Sequence, residues 1–158
     1  ITDSLTDLKD LGVQIIHLTG PADYDRVSSL YEGVDIDSHI ASFCDCMQLA
    51  YASCDIAIAR SGASSLAELS AFGIPSILVP YPYATDDHQT LNAVVYSDAG
   101  ASLMRQESEM SSSALISSLS QLLDSNNEVY KQMSSAMGKM AVIDSVENIC
   151  EQILVNSK

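Results

Sequence analysis

The stretch "DIAIARSGASSLAELSAFGIPSILVP", residues 55–80, decides the fold. It begins with a short apolar run, passes through a turn of small polar residues, and continues with apolar residues at helical spacing. Gly73 predicts the end of that helix, and a second apolar run follows it. A strand, a helix and a second strand in this order predict a right-handed βαβ unit whose strands are parallel.

The rest of the chain repeats this alternation. Further apolar runs predict strands at 13–18, 39–43 and 101–105, and helical patterns lie between the runs. The first of these helices is predicted to begin at Pro21, and the second is predicted to be capped by Asp45. The helix after the fourth strand is predicted to be capped by Asp86 or Asp87. We therefore predict an α/β fold, a doubly wound parallel sheet with helices on both faces. Because the chain opens within a helical pattern, we expect the first strand of such a sheet to be missing.

Helical patterns also close the chain, and we expect residues 1–158 to form a single domain. A Ser-rich segment predicts an amphipathic helix with Leu115, Leu119, Leu122 and Leu123 at helical spacing. A last apolar stripe comprises Val146, Ile149, Cys150, Ile153 and Leu154. We expect His17 to be structural, and Tyr31, Tyr51 and Tyr130 to belong to the core.

The composition and charge argue against several kinds of partner and site. The net charge of −14 argues against binding to nucleic acid or to an anionic membrane surface. Neither a signal peptide nor a membrane-spanning segment is evident, so we expect a cytoplasmic protein. The cysteines lack the spacing of a zinc or redox site and are expected to be buried apolar residues: Cys44, Cys46, Cys54 and Cys150. Arg60 is the only Lys or Arg between Arg26 and Arg105, so a phosphate ligand would depend on backbone amides.

The turn at 60–65, "RSGASS", follows a strand and precedes a helix. In doubly wound sheets the ligand lies beyond the carboxyl ends of the strands, where this turn is expected. Gly62 is expected to adopt unusual backbone angles and to admit a ligand, and Ser64 or Ser65 is expected to cap the helix. The free amides of the first helical turn then suit a phosphate. A plain Ser-capped turn without a ligand explains the same residues.

Glu68 has two interpretations that the spacing leaves open. Ser65 and Glu68 match a capping box, in which both side chains serve only the helix N-terminus. Alternatively, the Glu68 carboxylate accepts two hydrogen bonds from a ribose diol, as an acidic residue does in dinucleotide-binding folds.

The loop and helix start at 80–93, "PYPYATDDHQTLNA", form a third candidate element. The amide of Gln89 suits sugar hydroxyls because it both donates and accepts hydrogen bonds. His88 is either a general base or an ordinary surface residue. Asp86 and Asp87 leave a metal site as a weak alternative.

From Ser42 to Ala93 the sequence resembles the C-terminal domain of the MurG family, glycosyltransferase family 28. The motifs "RSGA", "AEL", "GIPSILVPYPYA" and "DHQTLNA" occur in order with the family's spacing. The resemblance implies the second Rossmann-like domain of a GT-B transferase, which moves GlcNAc from UDP-GlcNAc to lipid I and makes lipid II in peptidoglycan synthesis. It also implies that no metal or other cofactor is used, and that the whole protein is peripheral on the inner face of the cell membrane.

The resemblance further implies roles for individual residues. The backbone at Cys44, which follows Phe43, would read the uracil edge, with Met47 near the base. The first-turn amides would hold the diphosphate, Glu68 the ribose, and Gln89, with His88 beside it, the GlcNAc. The complete expected set is Phe43, Cys44, Met47, Arg60, Ser61, Gly62, Ala63, Ser64, Ser65, Glu68, His88, Gln89 and Asn92.

The resemblance places the acceptor site, the membrane contact and the catalytic base in a preceding domain. We therefore expect no catalytic residue in this chain, and at most weak donor binding. An unpaired strand edge would favour a homodimer. Two other classes remain open: another GT-B enzyme, such as UDP-GlcNAc 2-epimerase or a split lipid-linked GlcNAc transferase, and a non-catalytic α/β interaction domain.

Overall fold

The computed structural model describes residues 1–123, 126 and 128–156. Within them the strands are β1 Ile15–Leu18, β2 Ser38–Ala41, β3 Ala57–Ala59, β4 Ser76–Leu78 and β5 Ser102–Met104. The helices are α1 Leu5–Asp10, α2 Tyr24–Glu32, α3 Met47–Ser53, α4 Ala63–Phe72, α5 His88–Asp98, α6 Ser112–Leu122, α7 Glu128–Lys139 and α8 Ser145–Asn156. Short 3₁₀ turns occupy Thr2–Ser4, Thr85–Asp87 and Glu107–Glu109. The predicted order of strands and helices is confirmed.

All strand pairs among the described residues are parallel, which confirms the predicted α/β class. The strands pair in two ladders instead of one continuous sheet. One ladder joins β1 to β2, with Ile15 opposite Ser38, and the other has the order β3-β4-β5, with Ala57 opposite Ser76.

Each ladder leaves an open edge that carries apolar residues. The amide of Ile15 donates to Asp37 of the β2 side, so the backbone groups of Ile16 and Leu18 point the other way. In β3 the amide of Ala57 donates toward the β4 side, so Ile58 faces the second open edge. The same residues are exposed, at 42% for Ile16, 36% for Leu18 and 37% for Ile58. Strands β1 and β3 therefore have the apolar composition of central strands, although each lies at the edge of its ladder.

Gly73 ends α4 as predicted. Its φ of +64° is left-handed, and the amide of Ile74 donates to the carbonyl of Leu69 while the amide of Gly73 donates to Ser70. This is a Schellman motif, which favours glycine because a side chain strains the left-handed backbone. The turn sets the direction in which the chain enters β4.

Two of these predicted helix starts are wrong, and the third has the predicted residue at its start but no capping hydrogen bond. Helix α2 begins at Tyr24 and not at Pro21, and Cys46, not Asp45, precedes α3. Asp87 does occupy the position before α5, but its side chain makes no capping hydrogen bond. Its φ of +53° explains this, because a capping side chain normally needs an extended backbone at that position.

Two groups of helices cover the strands. The larger core cluster joins α1, α2, α6 and α7 to Ile77 of β4, and the predicted amphipathic face of α6 is confirmed by burial of Leu115, Leu119 and Leu122. Leu123 lies past the end of that helix and is exposed. A second cluster packs Leu69 of α4 on Met137 of α7. The stripe of α8 is at the surface instead of in the core.

The cysteines are partly misassigned by the sequence. All four are free thiols, but Cys46 and Cys150 are exposed and only Cys44 and Cys54 are half-buried. Burial raises the pKa of the Cys54 thiol. The expectation that all four are buried apolar residues is therefore wrong.

His17 has the structural role expected of it. Its Nδ1 lies 2.9 Å from the hydroxyl of Tyr31, and the two rings meet edge to face. Burial lowers the pKa of His17 and raises that of Tyr31 to about 12. Tyr31 is buried as predicted, whereas Tyr51 and Tyr130 are half-buried. No described helix has the length and apolar content needed to span a bilayer.

Candidate functional site

The candidate site lies where β3 and β4 end and α4 and α5 begin. Gly62 precedes α4 with an extended backbone, and its carbonyl accepts the amide of Leu66. The amides of Ala63, Ser64 and Ser65 precede that first intrahelical bond, so they have no acceptor within the helix. They carry the partial positive charge of the helix N-terminus, which attracts anions.

This geometry corrects two expectations for the turn. Ser64 and Ser65 do not cap α4, because both lie within its first turn and the cap position belongs to Gly62. Gly62 does not need unusual angles, because its φ of −69° is open to any residue. A Cβ at Gly62 would meet no atom within 4 Å, and the next two residues, Ala63 and Ser64, are exposed.

Arg60 is held by the neighbouring loops. Its guanidinium donates to the carbonyls of Val79 and Pro80 at 3.2 and 3.0 Å, and it forms an ion pair of 2.6 Å with Glu107. It also lies over the ring of Tyr81, 5.5 Å from the centroid. The guanidinium therefore joins three loops at the strand ends, and Glu107 offsets its charge.

Ser61 and Asn92 join the turn to α5. Ser61 is fully buried, and its hydroxyl donates to the carbonyl of Gln89 at 2.7 Å. The amide of Asn92 donates to the carbonyl of Ser61 at 3.0 Å. These bonds fix the turn against the start of α5, and both side chains are used within the protein.

His88 and Gln89 each make one side-chain hydrogen bond within the protein as well. The Nδ1 of His88 donates to the carbonyl of Thr85 at 2.6 Å, and the Oε1 of Gln89 accepts the amide of Tyr81 at 3.0 Å. These bonds orient each side chain, and the His88 Nε2 and the Gln89 amide nitrogen are the atoms left for a ligand.

Glu68 is not part of a capping box. Ser65 lies inside α4, so it cannot exchange hydrogen bonds with Glu68 in the manner of a cap. The Glu68 Oε2 instead accepts a hydrogen bond of 2.8 Å from the hydroxyl of Tyr51 in α3. The carboxylate is exposed on α4, about 7.5 Å along the axis from Ala63 at 1.5 Å per residue. The sequence offered no sign of this contact, because the two residues are 17 positions apart.

The structure does not join every predicted residue to this site. Phe43 is 73% exposed, and Cys44 and Met47 are half-buried beside it at the start of α3. No hydrogen bond or ion pair between described residues connects these three to the β3–α4 turn. Asp86 and Asp87 belong to no cluster of three His, Cys, Asp or Glu residues, within the described ranges, that would hold a metal ion.

Comparison with known proteins places the chain in a family. Residues 1–149 match the glycosyltransferase family 28 C-terminal domain. A transferase of Shewanella denitrificans is 37% identical over 145 residues, which is 90% of this chain and 39% of the relative. A transferase of Myxococcus xanthus is 37% identical over 158 residues, with 98% of this chain and 41% of the relative covered. Both are named UDP-N-acetylglucosamine–N-acetylmuramyl-(pentapeptide) pyrophosphoryl-undecaprenol N-acetylglucosamine transferase.

The comparison with solved structures agrees with this family match. The crystal structure of MurG from Acinetobacter baumannii superposes with a TM-score of 0.81 at 26% identity, and 90% of this chain and 41% of that chain are covered. The glycosyltransferase VinC has a TM-score of 0.71 at 15% identity over 98% of this chain and 37% of its own, which shows the fold alone. The chain thus spans about two fifths of the length of the curated relatives it matches.

Proposed function

The chain belongs to the glycosyltransferase family 28 C-terminal domains, and from that premise we propose that it binds the UDP-GlcNAc donor of an N-acetylglucosaminyltransferase. The whole protein would transfer GlcNAc to lipid I and make lipid II for peptidoglycan. The supporting observation is the first turn of α4, whose amides of Ala63, Ser64 and Ser65 have no acceptor within the helix, with the exposed Glu68 carboxylate farther along the same helix.

The pose that we propose for the UDP-GlcNAc donor follows from the charge of the protein. The diphosphate lies on the α4 N-terminus, because a protein with net charge −14 and a paired Arg60 has few other positive groups to offer there. The ribose hydroxyls donate to Glu68. The GlcNAc contacts the His88 Nε2 and the Gln89 amide, and the uracil contacts the backbone at Phe43 and Cys44 near Met47.

The proposed chemistry is a displacement of UDP by an acceptor hydroxyl in line with the departing diphosphate. The α4 amides stabilise the charge that develops on the leaving phosphate, as fixed dipoles do in other enzymes. Neither a metal nor another cofactor is part of the proposal, and the group that activates the acceptor hydroxyl lies outside this chain.

The remaining partners are proposed for the whole protein. The lipid I acceptor and the membrane are contacted by another domain, at the cytoplasmic face of the cell membrane. The 158 residues form one nucleotide-sugar-binding domain, which by itself binds donor and does not transfer the sugar. Two copies of the chain also pair through open strand edges.

Calorimetric titration of the chain with UDP and UDP-GlcNAc tests the proposal. We expect saturable binding of both. Glu68→Ala should weaken UDP binding by about 1.5–3 kcal/mol, the usual scale of a hydrogen bond to a charged group. Glu32→Ala removes the same charge from the exposed end of α2 and should leave the affinity unchanged. A folded chain that binds neither nucleotide would overturn the proposal, and an unaffected Glu68→Ala variant would remove the ribose role of Glu68.

A further inference from the structure

We propose that Tyr51 is a positioning residue for the ribose contact: its hydroxyl holds one oxygen of the Glu68 carboxylate, so that the other oxygen faces the ribose diol. This inference rests on the proposed donor function. It concerns a residue of α3, which the sequence assigns only to the core.

The geometry places a donor on a half-buried, packed ring beside an acceptor on an exposed side chain. Glu68 is exposed and has three rotatable side-chain bonds, so an unsupported carboxylate would sample many positions. The Tyr51 hydroxyl lies 2.8 Å from the Glu68 Oε2. The Tyr51 ring is half-buried and packs on Phe72, with ring centroids 5.6 Å apart and planes inclined by 36°. Phe72 is one helical turn beyond Glu68 on α4, so ring and carboxylate are held by the same helix face.

The chemistry of the pair suits a diol ligand. A phenol donates one hydrogen bond, and an ionised carboxylate has about four lone-pair sites, so Oε1 keeps its full capacity for the ribose. Burial and the neighbouring Glu68 raise the pKa of Tyr51, so the hydroxyl stays protonated and remains a donor across the physiological range. A neutral donor also leaves the negative charge of Glu68 in place.

The contact differs from ordinary packing between α3 and α4. Stacking of Tyr51 on Phe72 would join the helices without a hydroxyl. The hydroxyl adds a directional bond to one residue, and that residue is the one proposed to bind the ribose. A Tyr51→Phe variant therefore separates the two contributions, because it keeps the ring and removes the hydrogen bond.

The experiment compares UDP with 2′,3′-dideoxyuridine 5′-diphosphate, which lacks the diol. In calorimetry of the full chain, Tyr51→Phe should weaken UDP binding about five- to tenfold, the scale of one lost hydrogen bond. It should leave binding of the dideoxy nucleotide and the melting temperature unchanged. Tyr130→Phe, a second half-buried tyrosine, is the matched control and should alter neither nucleotide. In a Glu68→Ala background, Tyr51→Phe should have no further effect on UDP.

The outcomes separate this inference from the proposed function. If wild-type chain binds UDP but Tyr51→Phe weakens both nucleotides equally, Tyr51 acts through packing and the inference is wrong while donor binding stands. The inference also fails if Tyr51→Phe leaves UDP affinity intact although Glu68→Ala lowers it. Absence of UDP binding by the folded wild-type chain would overturn the donor function, and the positioning role with it.

Discussion

Residues of the β3–α4 turn divide into those that hold the turn and those that face outward. Arg60, Ser61 and Asn92 direct their polar groups to neighbouring protein atoms. Ser64 is exposed, and the first-turn amides of α4 have no acceptor within the helix. Site residues in one motif can therefore have different tasks, and single substitutions distinguish them.

Ser61→Ala should lower the free energy of unfolding by about 1–2 kcal/mol, because it deletes a buried hydrogen bond and leaves a small void. The hydroxyl is fully buried and donates to Gln89 at 2.7 Å. Urea unfolding followed by circular dichroism measures the change. Ser64→Ala, an exposed serine three residues later, is the control and should stay within about 0.5 kcal/mol of wild type. Equal effects of the two substitutions would refute the anchoring role of Ser61.

At the scale of single residues the sequence offers candidates for the site but does not show which atoms they contact. Glu68 had two consistent interpretations, and the choice depended on whether Ser65 or Gly62, three residues earlier, occupies the cap position of α4. A shift of that size is beyond what local pattern resolves. The partners of Arg60, Ser61 and Glu68 come from 17 to 47 positions away, so only the folded chain shows them.

Helices and strands were predicted more reliably than their ends. Burial on one face produces a periodicity that persists over many residues, as in α6, whereas a cap depends on the backbone angles of one residue. Gly73 is the exception, because its left-handed conformation favours one residue type and is therefore visible in the sequence. Asp45 and Asp87 show the opposite case, in which a suitable residue type does not form the cap.

Gly73→Ala and Gly138→Ala should change stability in opposite directions. Gly73 has a φ of +64°, so an alanine there should destabilise by about 1–2 kcal/mol through backbone strain. Its nearest contact, to the Ser134 carbonyl at 3.6 Å, is an ordinary one and adds no clash. Gly138 is exposed within α7 with no atom within 4 Å of the new Cβ, and alanine should stabilise it by up to about 1 kcal/mol. Thermal melts of both variants measure the signs, and a stabilising Gly73→Ala would contradict the cap.

For the whole molecule, the sequence predicts the α/β class and an unpaired strand edge, but not the division of the strands into two ladders. Parallel strands joined by helices give a strong alternating pattern, and this part of the prediction is confirmed. The division into two ladders has no local signal, since β1 and β3 read like buried central strands. Their apolar residues at open edges are therefore the feature of the molecule that most invites an additional strand.

A charged substitution at an open edge tests the proposed pairing of two copies through these edges. Ile16→Lys places a charge on the open edge of β1 and should shift the chain toward monomer in sedimentation velocity over a wide concentration range. Leu30→Lys, at a residue that is 44% exposed and belongs to α2 instead of a strand, should leave association unchanged. Because the net charge of −14 opposes contact between copies, added salt should strengthen association of the wild-type chain. A wild-type chain that stays monomeric in high salt, or equal effects of the two lysines, would show that the edges do not pair between copies.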